Sequence, residues 1–501
     1  MFTLDRGFRR IGWFAILLLA LSVMTPGRAL ADTGSDVAQL QALLEAQQAR
    51  MDALQEQLAA SRGQDAEGAR NEALRNQIRQ ILGEQEFRES LMPSMLQAGY
   101  DGGFFIRSSD DNFLMKFNGR MQFRWTHYAK QSRNRYLSPR LRGHDMTGFD
   151  VRRLRFHISG HVYDPNLTYL IKLDADSPSG YDVGIRYAYV NYRFADEFQI
   201  RAGAFQLAST RAGFASSGNM QFCEYPETAA VFDPFEGVGV RFWGQLADKR
   251  VEYYLDIANS FNGMRNRTIT TDENRELDGN PAIAFRTVWH VCGENPTKDF
   301  VSWGDIDHLE TPAFDLGFHY LFDDNYGDTT SSRIVFARPK LFGGGFGVTS
   351  SEGVQINQFG FDAAFKWQGF SASGEYIFRI IDPRRAGRTP FTPLWLLTAD
   401  DSTTVNHGAY VQMGYFLPIP GMERKLEAVA RIGGIAVNPG PGGSEGTWFY
   451  TAGLNYYFEG NKVKLQTDLT KIPKVPLAAN SWLANANDNA LIWRVQLQVA
   501  F

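Results

Sequence analysis

The run Leu491-Ile492-Trp493-Arg494-Val495-Gln496-Leu497-Gln498-Val499-Ala500-Phe501 has the two-residue period of a strand. Leu491, Trp493, Val495, Leu497, Val499 and Phe501 share one face, and Arg494, Gln496 and Gln498 share the other. The same alternation extends back through the chain. Val463, Leu465 and Leu469 oppose Lys464, Gln466, Asp468 and Thr470, and Leu154, Phe156, Ile158 and Val162 oppose Arg155, His157, Ser159 and His161. Phe113, Met115, Phe117, Met121, Phe123 and Trp125 oppose Lys116, Asn118, Arg120, Gln122, Arg124 and Thr126. A soluble sandwich also alternates, but its polar face looks into water and its apolar faces are covered. After Gly99 this chain offers no helix-forming segment to cover them. The strands reach about ten residues and their apolar faces end in aromatics, as lipid-facing strands do.

The pattern therefore predicts an all-β transmembrane barrel. Unpaired backbone groups are too costly in lipid for an open sheet, so the sheet must close on an even strand number. Roughly 400 residues at about 25 per strand and connection predicts about 16 antiparallel strands.

Composition agrees. The 501 residues are 44% hydrophobic and 14% aromatic with 48 Gly, which excludes a polytopic helical membrane protein and a disordered chain. Lys and Arg number 51 against 55 Asp and Glu; that balance gives no sign of a nucleic-acid partner.

The first residues read as targeting. Arg6, Arg9 and Arg10 precede the apolar run Ile11 to Leu21, and Ala29-Leu30-Ala31 offers a small-x-small cleavage site. Residues 1–31 are expected to be a secretory signal peptide, leaving Asp32 first. Residues 32–98 are expected to be a periplasmic coiled-coil segment. Within it Val37, Leu40, Leu44, Gln47, Met51, Leu54 and Leu58 mark an α-helical a/d seam about three heptads long. So narrow a seam wants partner helices, which points to self-association. Residues 99–501 form the barrel. Two cysteines, Cys223 and Cys292, are left in an oxidising compartment; pairing and two free thiols are both open.

The segments Tyr100 to Ile106, Phe117 to Gln122, Phe149 to Arg155, Ala188 to Tyr192 and Tyr254 to Gly263 follow in order. Glu375-Tyr376, Tyr410 to Tyr415 and Arg494 to Leu497 complete the series. Through them the chain resembles the phosphate-selective porin O and P family over nearly all of its mature length. The resemblance implies a trimeric 16-stranded barrel in the outer membrane, an inward-folded third loop, and an anion channel for phosphate or polyphosphate. An N-terminal coiled coil is common among such proteins. Phe501 ending an amphipathic strand looks like the signal read by barrel-assembly machinery. Outer-membrane lipid and lipopolysaccharide are the expected surroundings, and no cofactor or metal is expected.

In a porin, chemistry is electrostatics in a confined aqueous space, where inward Arg and Lys lower the energy of an anion. Strand parity sends Lys116, Arg120, Arg124, Arg153, Arg155, Lys172, Arg193, Arg201, Arg241, Arg286, Arg431 and Arg494 inward, with Asp174, Asp362, Glu375, Glu427 and Asp468 as the inward acids. Most of these can equally brace the wall in Arg-acid pairs; the basic excess of the set favours an anion pathway. Parity leaves Arg152 at the membrane interface near the strand start. Residues 209–236, a break in alternation, match the family's constriction loop by order. There Gln206 stands where many members have Lys, Arg211 replaces one loop lysine, and Gly218 falls where a second would be. Glu224, Glu227, Asp233 and Glu236 outnumber Arg211, and loop acids would repel a dianion unless they point away.

Other motifs carry less. His157 and His161 sit about 13 Å apart along a strand, too far to share a zinc ion. Gly343 to Gly347 lacks the Lys-Ser/Thr of a phosphate loop, and Asp323 to Asp328 reads as a solvated turn more readily than a calcium loop. No catalytic set stands out, so no enzyme activity is assigned. Two functions follow: a passive outer-membrane channel for small ions favouring anions, or a structural barrel whose coiled coil tethers the membrane to peptidoglycan around a non-selective pore.

Overall fold

The computed structural model describes residues 45–46, 48–50, 52–53, 96–129, 145–175, 183–234, 236–259, 280–326, 353–383, 404–437, 445–473 and 489–501. Contacts divide the chain into two units, Met1–Pro93 and Ser94–Phe501. In the first, residues 45–46, 48–50 and 52–53 are helical and exposed. The expected signal peptide, the rest of the expected heptad seam and the Gly343 to Gly347 stretch lie outside the described residues.

The second unit is the barrel. Two short strands, β1 (Gln97–Tyr100) and β2 (Phe104–Arg107), precede the long ones. The wall then runs β3 (Phe113–Ala129), β4 (Met146–Val162), β5 (Asp164–Ala175), β6 (Gly184–Ala195), β7 (Phe198–Gln206), β8 (Glu236–Leu246), β9 (Val251–Ala258) and β10 (Ala282–Cys292). It continues β11 (Ala313–Tyr326), β12 (Gly353–Trp367), β13 (Phe370–Pro383), β14 (Thr404–Phe416), β15 (Leu426–Val437), β16 (Glu445–Glu459), β17 (Val463–Ile472) and β18 (Ala490–Ala500). Each strand from β3 pairs antiparallel with the next, and β18 returns to β3 through Leu491 opposite Ala129 down to Ala500 opposite Arg120. The closed wall is thus the expected 16-stranded antiparallel barrel. β2 fills the rest of the same edge, with Phe104 opposite Phe117. At the junction Phe501 and Gly119 exchange both backbone hydrogen bonds.

Alternation holds strictly where the sequence shows it best. On β17 Lys464, Gln466, Asp468 and Thr470 are buried while Leu465 and Leu469 are exposed, Leu469 at 46%. On β18 Arg494, Gln496 and Gln498 are buried between exposed Trp493 and Leu497. The usual polarity is inverted, polar in and apolar out, because the solvent outside is lipid.

Register shifts interrupt several of the pairings, and two of them bring in an extra arginine. Gln122 pairs with Arg153 and Phe123 with Val151, so Arg152 is an extra residue on β4. Lys172 pairs with Tyr187 and Leu173 with Ile185, which leaves Arg186 extra on β6. A bulge locally re-aims the side chains it carries. Elsewhere Asp323 and Asp324, expected in a turn, continue β11 opposite Ile356 and Gln355 and are buried. Both cysteines are free, Cys223 buried and Cys292 exposed.

Barrels of this kind carry short periplasmic turns and longer outer loops. At the end where Phe113 and Phe501 lie, the turns are residue 163, 196–197, 247–250, 368–369, 417–425 and 460–462, but also 293–312.

Candidate functional site

Between β7 and β8 the chain leaves the wall and fills the lumen. Two short helices, α1 (Arg211–Phe214) and α2 (Glu227–Phe232), lie within this loop. Its roots are apolar. Leu207 packs with Phe205, Ala258, Ala282, Ala284, Leu321, Ile356 and Ile381. Val231 and Phe232 pack with Tyr128, Ile377, Ile435, Phe449, Ile472, Ala490 and Ile492. These inward apolar side chains, unusual for a polar lumen, line the outer ends of the strands and seat the loop.

Between its roots the loop is held by wall cations that donate to its backbone carbonyls. Arg241 reaches Gln206 O at 2.7 Å, Arg286 reaches Ser209 O at 3.0 Å, and Lys464 reaches Met220 O at 2.7 Å. Arg124 reaches Cys223 O at 2.5 Å, Arg431 reaches Glu224 O at 3.1 Å, and Arg379 reaches Val231 O at 3.0 Å. Loop carbonyls buried inside the barrel need such donors, and charged donors make the stronger bonds. Arg241 and Arg286 are also paired with Asp256 and Asp362. Arg494 is paired with Asp468 at 3.0 Å. Much of the inward cationic set therefore braces the wall and loop.

Each of the loop acids has partners inside the barrel, and Glu224, Glu227 and Glu236 are paired with arginines. Glu224 receives Arg124 at 2.6 Å, Arg152 at 2.5 Å and Arg153 at 2.8 Å. Burial works against ionisation of Glu224, but Arg152, Arg153 and Arg124 outweigh it and hold the carboxyl well below the usual range. Glu227 faces Arg431 at 3.5 Å. Asp233 accepts from Ser209, Thr210 and Gln206. Glu236 is the first residue of β8 rather than part of the loop, and it pairs with Arg186. The expectation that Arg152 stays at the interface is corrected by its bulge. Arg186, absent from the parity set, enters by the other bulge; irregular pairing leaves no mark in an alternating sequence.

Next to this clamp lies a basic patch on β3 to β6. Arg120 donates to Ser216 Oγ at 3.2 Å and Ser217 Oγ at 2.8 Å, and Arg155 donates to Ser217 Oγ at 2.5 Å. Arg155 and Arg186 share Asp174 at 3.1 Å each. Lys172 lies 4.8 Å above the Tyr187 ring and has no carboxylate within ion-pair distance among the described residues. Gly218 touches this patch so closely that a Cβ would displace the Arg120 guanidinium. Arg201 stacks over Tyr189 and Trp243 at 4.2 and 5.4 Å. Lys116 bonds Asp101 at 3.2 Å near the short-turn rim, and Arg193 is half exposed beside Asn166 and Asp196. Across the lumen Arg211 approaches Asp362 at 3.3 Å and Asp315 at 4.0 Å, while its amide donates to Glu375.

A family model described as phosphate-selective porin O and P matches residues 129–275, the stretch that includes both bulges and the inward loop. Over that stretch the chain is similar to outer-membrane porins of this family. The resemblance read from the sequence is shown by that match, which indicates a channel rather than an enzyme. No curated protein matches it. Among solved structures it is similar to the anion-selective porin from Comamonas acidovorans, at 9% identity and TM-score 0.48 over 77% of this chain and 99% of that one. It is similar also to Salmonella typhi OmpF in complex with daunomycin, at 11% identity and TM-score 0.48 over 81% and 100%. A third is the outer-membrane channel DcaP of Acinetobacter baumannii, at 10% identity and TM-score 0.44 over 77% and 97%.

Proposed function

We propose that this porin is a passive channel that favours anions, with phosphate-class oxyanions as its solutes. The observation that carries the reading is the pairing of Glu224, Glu227 and Glu236 with arginines. Glu224 alone is matched by three guanidiniums, so the acids do not present a negative ring to the pathway. The wall of β3 to β6 sets Arg120, Arg124, Arg152, Arg153, Arg155, Lys172 and Arg186 against Asp150, Asp174, Glu224 and Glu236. A confined excess of positive charge attracts counter-ions of the opposite sign. The name of the matching family supplies the oxyanion class. A homotrimer with a periplasmic N-terminal coiled coil belongs to the same reading.

The test is the reversal potential of purified channels in a planar bilayer across a KCl gradient, repeated with added phosphate. Anion reversal with block at low phosphate is expected. Cation reversal would sink the reading and leave a general porin.

A further inference from the structure

Among the periplasmic turns, 293–312 is out of proportion. A connection of this length between two adjacent antiparallel strands needs a reason, since a few residues suffice. The turn has a defined internal structure. Asp299 accepts from the Asn295 amide, and Asp305 accepts from the amides of Leu309 and Gly369. Folded this way, the turn points back into the barrel.

There it meets the inward loop directly. The Trp303 amide donates to Asn219 O at 3.1 Å, and Asn219 Nδ2 donates to Val301 O at 2.9 Å. The Trp303 ring packs against the cluster of Ala212, Ala229 and Tyr410, two of which are loop residues. Gly304 passes so close to Glu427 and Gln221 that a Cβ would lie 2.6 Å from the carboxylate. The Phe300 ring sits between two cations, Arg211 of the loop at 5.4 Å and Lys366 of β12 at 5.5 Å, and Lys366 also donates to Asp299 O at 2.6 Å. Ser302 accepts from Asn461 at 3.0 Å across the lumen.

We propose that turn 293–312 is the second half of the constriction, a periplasmic plug that props the loop from below and limits the current with it. Phe300 and Trp303 act as positioning residues, Phe300 by fixing the guanidinium of Arg211 and Trp303 by seating α1 and α2. The proposal rests on the channel reading of the chain and not on its anion preference.

Two measurements test it. In one, residues 296–303 are replaced by Gly-Gly and single-channel conductance is recorded in symmetrical KCl. At least a twofold rise is expected; unchanged conductance in a folded, heat-modifiable barrel overturns the proposal. Should that variant fail to fold, Val301→Cys in a Cys292→Ser background decides. A sulfonate-bearing methanethiosulfonate added from the short-turn side should cut the current of the Cys variant and leave its parent untouched; unaltered current overturns the proposal. A cation reversal potential would defeat the anion reading and leave both results intact.

Discussion

Arg152 donates to Glu224 Oε1 at 2.5 Å from a position on β4 that pairs with no residue of β3. Its neighbour Arg153 reaches the other oxygen, Oε2, at 2.8 Å. Consecutive strand residues ordinarily point to opposite faces. The bulge removes that constraint, and with it the porin puts two adjacent guanidiniums on one carboxylate.

Replacing Glu224 by Gln leaves Arg124, Arg152 and Arg153 without their shared anion. The reversal potential should move further towards that of a purely anion-selective pore. Breaking so buried a cluster is expected to cost about 3–5 kcal/mol, read as a lower temperature for the heat-modifiable transition on a gel. No change in either quantity would show that the clamp is electrostatically silent.

The pH dependence of the same clamp has a definite sign. The folded pKa of Glu224 is depressed, so its contribution is complete above the ordinary carboxyl range of roughly 4 and is lost only as pH falls through the lower folded value. Conductance at pH 7 and pH 4.5 should be the same as far as Glu224 is concerned, with loosening confined to stronger acid. Loosening near pH 6 would contradict the assignment.

Arg186→Ala removes the cation that pairs Asp174 with Glu236. Anion preference should fall, with the reversal potential moving towards the cation value while conductance stays within about twofold. If anion preference were unaffected, the β6 bulge would be structural only.

Phe232→Ala empties the apolar seat of α2 among Tyr128, Ile377, Ile435 and Phe449. A buried Phe→Ala change costs about 3–5 kcal/mol. Because the loss falls on the loop rather than on a wall strand, the expected signature is noisier, larger single-channel currents with the barrel still folded.

Thiol chemistry separates the two cysteines. Burial pushes the Cys223 thiol up, with Asp468 adding to the effect, whereas Cys292 is exposed. A maleimide should label Cys292 alone in the folded porin and both thiols after denaturation. Rapid labelling of Cys223 in the native state would mean that the loop opens.

The wall was legible in the sequence because lipid imposes the same rule at every strand position. The facing of Lys464 to Thr470 and of Arg494 to Gln498 follows from the period alone. The inward loop was legible as a break in alternation, but not its partners. The loop acids looked repulsive in sequence because their neutralising cations lie at least about 70 residues away: Arg152, Arg153 and Arg124 for Glu224, and Arg431 for Glu227.

Alternation, aromatic ends and length by themselves determined a closed barrel of about 16 strands with a polar interior, since no other arrangement satisfies backbone and side chains in lipid together. Only the tertiary structure decided what the interior does. Which cations neutralise which acids depends on barrel closure and on two one-residue bulges, and a bulge shifts pairing without altering composition. The meeting of Trp303 with Asn219 depends on two turns from opposite ends of the barrel entering one lumen. That contact is non-local, and no period in the sequence encodes it.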